Sequence, residues 1–136
     1  MPVIRYAESR RTETPNAVMT TLASPSQGGA TCAVWRVDMR PGQAGPPHAF
    51  DAEQVWTVLD GGAEVTLGGQ TARLRPGDTM IILAGEPRRV RADPAAGFAA
   101  IVVAPAGARA WVHDGTIPGP RSAVPDSEKV APAWTL

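Results

Sequence analysis

The chain has 136 residues, 43% hydrophobic and 19% charged, which is the size and balance of one ordinary globular domain and excludes a disordered segment or a disulfide scaffold. Thirteen basic residues cancel thirteen acidic ones, so no net field is available to hold a polyphosphate backbone or an anionic membrane surface, and neither nucleic acid nor membrane is an expected partner. Nowhere do apolar residues run on for the length of a signal peptide or a membrane span, and a soluble cytoplasmic protein is expected.

In chain order, short runs rich in Val, Ile, Thr and Trp recur at 17–22, 31–39, 54–59, 63–67, 70–74, 79–83, 88–92 and 98–104. Such residues suit a pleated, half-buried surface. The run 31–39 alternates most clearly, with Trp35, Val37 and Met39 on one face and Arg36 and Asp38 on the other. It also holds the only cysteine, Cys32, which excludes an intramolecular disulfide, fits a reducing compartment and reads as a buried, inert thiol. Between the runs stand Arg40-Pro41-Gly42, Asp60-Gly61-Gly62, Gly68-Gly69, Pro76-Gly77-Asp78 and Ala84-Gly85-Glu86-Pro87. Gly admits positive φ and Pro fixes φ, so these are turns, and Asp78 is expected to accept backbone hydrogen bonds within its own. No segment has a helical period. Many short, evenly spaced strands predict an all-β sandwich or jelly-roll barrel. After Gly107 the chain becomes a Pro-rich extended tail, about 105–136, carrying Trp111, His113 and Trp134. Burying an indole contributes on the order of 2–3 kcal/mol, so the two tryptophans should pin the tail across the barrel or onto a neighbouring subunit.

Two segments carry a resemblance. From Gly42 the chain reads Gly, five residues, His48, one residue, Phe50, three residues, Gln54, six residues, Gly61. From Gly77 it reads Gly77-Asp78, four residues, Leu83, one residue, Gly85, two residues, Arg88. In spacing and order these resemble the two motifs of the cupin superfamily. The resemblance implies a double-stranded β-helix barrel over about 16–104, in a single domain spanning 1–136. It also implies that positions 48, 50, 54 and 88 point inward, where the family commonly holds a transition metal. Only His48 of the four usual ligands is kept. Phe50 has no lone pair, Gln54 offers a neutral amide oxygen, and Arg88 places a fixed positive charge where a cation would sit. The expectation is therefore no metal cofactor. Any divalent metal would rest on His48 and Gln54, with His113 brought in by the tail.

Without a metal the same positions form a ligand site. His48 is a titratable imidazole, Arg88 a forked anion receptor, and Gln54, Trp56, Phe50, Trp35 and Val58 are the substrate-lining candidates. A rival reading locks Arg88 in an internal ion pair with Glu53, Asp78 or Glu86. Arg89 and Arg91 should point outward if Arg88 points in. The expected function is a metal-independent tailoring enzyme (isomerase, epimerase, cyclase or lyase) acting on a small anionic or enolisable molecule. His48 would be the acid or base, Arg88 would stabilise an oxyanion and Gln54 would orient the substrate. The alternatives are a non-catalytic sensor or carrier and a divergent metal-dependent cupin such as a dioxygenase. A homodimer is expected, because cupins commonly pair through their sheets.

Overall fold

The computed structural model describes residues 1–112 and 124–136. Eleven strands form among them: β1 (Arg11–Glu13), β2 (Val18–Ala23), β3 (Cys32–Met39), β4 (His48–Phe50), β5 (Gln54–Gly61), β6 (Ala63–Leu67), β7 (Gln70–Leu74), β8 (Thr79–Ile82), β9 (Arg88–Ala92), β10 (Phe98–Pro105) and β11 (Ala110–Val112). They make a six-stranded sheet in the order β1-β2-β3-β10-β5-β8 and a five-stranded sheet in the order β11-β4-β9-β6-β7, with every strand pairing antiparallel. This is the expected jelly-roll architecture, and no helix of the described residues is long and apolar enough to cross a membrane.

Strand alternation decides what enters the core. Along β3, Ala33, Trp35, Val37 and Met39 are buried while Cys32, Val34, Arg36 and Asp38 turn the other way. Arg36 and Asp38 neutralise each other there at 2.9 Å. Along β5, Gln54, Trp56 and Val58 point inward, and along β9 so do Arg88, Val90 and Ala92, leaving Arg89 and Arg91 exposed. Cys32 is half-buried on the outer face rather than sealed in the core as expected. Asp78 takes the turn role expected of it, accepting from the Arg75 N–H at 2.8 Å.

Three strands escaped the sequence reading. β1, β4 and β11 have three residues each, too few for a period to show, and β4 and β11 pair with each other across the long gap between positions 50 and 110. β4 matters most, because its single ladder pair with β9 sets His48 directly opposite Arg88. Directly opposed residues share a face, so both side chains enter between the sheets.

The tail is tied down on this chain. Ala110 and Val130 exchange backbone hydrogen bonds at 2.8 and 2.9 Å, Gly107 N–H donates to the Thr135 carbonyl, and the Thr135 hydroxyl donates to the Ala108 carbonyl. Arg109 binds Asp51 in the loop after β4 with both its backbone N–H and its guanidinium. Trp111 packs with Ala49 and Val124 on the far side of β4, and Trp134 packs against the main core.

Candidate functional site

The sheets do not close completely on each other. They leave a cavity of about 510 Å³ between the inner face of β2 and β3, strands β4 and β5, the loop at Thr14–Ala17, and the tail from Glu128 to Trp134. Trp35, His48, Phe50, Gln54 and Trp56, all expected at the site, line it, and Trp134 and Val130 of the tail close one side. The tail contacts were signalled by the tryptophan alone. The contribution of Thr14–Ala17 had no signal, because that segment is a polar loop in sequence and reaches the cavity only through the pairing of β1 with β2.

His48 is partly buried, with its ring edge-on to Phe50 at 5.8 Å between centroids. Its Nδ1 lies 2.9 Å from the Pro46 carbonyl. A carbonyl only accepts, so Nδ1 carries the proton and Nε2 is left with a free lone pair. Burial holds the imidazole pKa below its ordinary value and the charge of Arg88 adds to this, while the bond to Pro46 opposes them. The ring is therefore a neutral base at physiological pH.

Gln54 is fully buried, and its orientation is set by two donors. Trp56 Nε1 donates to Oε1 at 3.0 Å and Arg88 Nη1 donates to the same oxygen at 3.2 Å. With Oε1 doubly engaged, Nε2 is left as a buried donor without a partner. Arg88 is 1% exposed. Its Nε donates to the Glu86 carbonyl at 3.2 Å, its guanidinium lies 5.3 Å over the Phe50 ring, and Nη2 is a second unpartnered buried donor.

Over half of the chain, residues 35–104, matches the sequence model of the cupin domain. The chain belongs to the cupin family. No curated protein matches this cupin in sequence. Solved structures do: the polyketide cyclase RemF from Streptomyces resistomycificus is 24% identical with a TM-score of 0.67, over 77% of this chain and 79% of that one. KdgF from Halomonas sp. is 20% identical with a TM-score of 0.64, over 77% and 94%. Salicylate 1,2-dioxygenase from Pseudoaminobacter salicylatoxidans, solved with gentisate, is 19% identical with a TM-score of 0.66, over 77% of this chain but 31% of that enzyme. At these identities the likeness establishes the fold.

The four positions where the cupin motifs place ligands do come together, and they do not suit a metal. Gln54 Oε1 already accepts twice, Phe50 has no donor atom, and the guanidinium occupies the neighbourhood of the remaining position. Among the described residues no three His, Cys, Asp or Glu side chains cluster. His113 lies outside the described residues.

Two expectations need correction. Val58 is 2% exposed and packs in the core rather than on the cavity wall. Arg88 points inward but is not part of the cavity wall: it sits behind Phe50, which is. Nor is it locked in an ion pair. Among the described residues no carboxylate lies within salt-bridge reach of it, and the Glu86 carboxylate instead accepts from the Leu83 N–H at 3.1 Å. Burial, against the weaker pull of Glu86, brings the guanidinium pKa down to about 10, a cost on the order of 3 kcal/mol for keeping it charged. Arg88→Met, similar in length and apolar, is therefore expected to stabilise the protein by about 1–3 kcal/mol. Thermal unfolding checks this, and a clear drop in Tm would mean that a buried carboxylate had lost its partner.

Proposed function

We propose that this cupin is a metal-independent tailoring enzyme of the isomerase, epimerase, cyclase or lyase kind, in which His48 moves a proton on a small enolisable or anionic molecule held in the cavity. The observation that carries this reading is the hydrogen bond from His48 Nδ1 to the Pro46 carbonyl, which leaves Nε2 a free, unprotonated lone pair at an apolar cavity. Gln54, its oxygen accepting from both Trp56 and Arg88, holds the Trp56 ring in place on the cavity wall. Arg88 acts from behind the wall: a fixed, incompletely compensated positive charge in a dry environment favours negative charge that develops during reaction without having to reorganise. The likeness to the polyketide cyclase RemF, matched over 79% of its chain, supports including cyclisation in this reading.

Proton abstraction has a direct readout that needs no knowledge of the natural substrate. Purified protein in deuterated buffer should speed deuterium incorporation at the benzylic C–H next to the carbonyl of 2-tetralone, a ketone that stays un-ionised near neutral pH, above the buffer rate, seen by proton NMR, and should do so equally after chelator treatment. Binding of the ketone without exchange would replace the enzyme by a carrier. Exchange that disappears with chelator and returns with a divalent metal would replace it by a metalloenzyme.

The reading includes a homodimer. On the outer face of the six-stranded sheet Val34, Val103, Val55 and Ile81 are register partners across four neighbouring strands, with Val103 38% and Ile81 59% exposed. The nearby charges Arg36 and Asp38 already pair with each other, so apposing two copies of this row would bury no unpaired charge. Light scattering should give twice the chain mass at micromolar concentration and the monomer mass for Ile81→Arg. A monomeric native protein would remove this part of the reading.

A further inference from the structure

The polarity of the cavity wall selects among ligands. Among the described residues the only ionisable side chains that line it are His48 and Glu128, and Glu128 stands exposed at the rim on the tail. No lysine or arginine among the described residues belongs to the lining. The spare donors nearby, Gln54 Nε2, Arg88 Nη2 and Trp111 Nε1, have no accessible surface, so a ligand in the cavity as it stands reaches none of them. A carboxylate would leave water, pass Glu128 and meet no lysine or arginine among the described lining residues, and burial of an ionised group on those terms is heavily disfavoured.

A neutral molecule meets a different surface. Trp35, Trp56, Phe50 and Trp134 present aromatic rings, and the volume of about 510 Å³ suits a small organic ligand. Beside the Asn16 amide, the described lining offers a basic acceptor, His48 Nε2, freed by the bond of Nδ1 to Pro46. We infer that the ligand is a flat, conjugated molecule that enters uncharged and carries a weakly acidic hydroxyl, a phenol or an enol, whose O–H donates to His48 Nε2. This rests on the role given to His48 in the proposed function and narrows its substrate from anionic or enolisable to the enol or phenol class. The charge of Arg88 is compatible with it, since a positive charge behind the wall favours electron density on the ligand oxygen without requiring a formal anion to be desolvated on entry.

Three probes of one shape decide the matter: 2-naphthol, 2-naphthoate and 2-methoxynaphthalene, measured by equilibrium dialysis near neutral pH, where the naphthol is un-ionised and the naphthoate is an anion. The naphthol should bind about tenfold more tightly than either of the others, the loss expected when a buried acceptor goes unmatched. In His48→Phe the advantage of the naphthol over its methyl ether should vanish while the ether still binds, which shows the cavity to be intact. Equal binding of naphthol and ether overturns the hydroxyl contact. Tighter binding of the naphthoate overturns the neutral-ligand class but leaves the proposed function standing, with Arg88 then having to reach the ligand. Failure of all three to bind overturns both.

Discussion

Replacing His48 by glutamine is expected to slow the proposed proton transfer by a factor of about 10²–10⁴, the usual contribution of a positioned general base. Glutamine can still donate an N–H toward the Pro46 carbonyl and is close to imidazole in reach, so the wall of β4 should keep its shape. What it lacks is a basic lone pair. The pH profile separates a base from a structural residue. In the native protein the rate should rise with pH and level off below the ordinary histidine value of about 6.5, because burial and the charge of Arg88 depress the His48 pKa. In the variant that rise should be absent. Stability reports on the same group in the same direction. The unfolded chain takes up a proton at His48 near its ordinary pKa whereas the folded chain does so only at lower pH, so this contribution is present above about pH 6.5 and is lost as pH falls toward the folded value. His48→Gln should flatten that part of the acid limb. A variant with the native rate and the native profile would show that His48 is not the base.

Gly61→Ala should cost about 4 kcal/mol or more and lower Tm by roughly 10–20 °C, or prevent folding at physiological temperature. Gly61 ends β5 at φ +66°, where a side chain is disfavoured, and an added Cβ would stand 2.1 Å from the Gly97 carbonyl oxygen and 3.3 Å from Phe98 Cα. These are backbone atoms and cannot swing aside. The Gly97 oxygen is moreover held by the Gly62 N–H at 3.0 Å, and Phe98 starts the strand that joins β3 to β5. Gly69→Ala is the control. It too has positive φ, +88°, but no atom lies within 4 Å of its added Cβ, so it should lose only the conformational penalty of about 1–2 kcal/mol. Equal losses at the two positions would mean that conformation alone, and not the close approach of β5 to β10, requires glycine at 61. Thermal unfolding of the pair is sufficient to decide.

Much of the fold was legible because its signals are local. Alternation along 31–39 assigned Trp35, Val37 and Met39 to the core before any pairing was known, and Gly61, Gly77 and Gly85 marked turns at motif spacing. The runs 63–67, 70–74 and 88–92 coincide with β6, β7 and β9. The inward direction of Gln54, Trp56 and Arg88 followed from the same two-residue period, and so did the outward direction of Arg89 and Arg91. Periodicity in a strand says which face a side chain takes, since neighbouring Cβ atoms alternate.

Other facts depend on atoms far apart in the chain, and only the tertiary structure decided them. Whether Arg88 would meet a carboxylate, the ligand or neither turned on where Glu53, Asp78, Glu86 and Phe50 lie around it. It meets the ring of Phe50, the oxygen of Gln54 and the carbonyl of Glu86. The cavity wall turned on a tail more than sixty residues from His48, and the setting of the Gln54 oxygen on Arg88, 34 residues further along. A strand's own residues therefore determined its face, its turns and its share of the core. The charge, hydrogen-bonding and reach of the inward side chains depended also on partners brought in from other strands, as Arg88 is to Gln54 and to Phe50, because desolvation and hydrogen bonding act over a few ångströms of space whatever the separation in sequence.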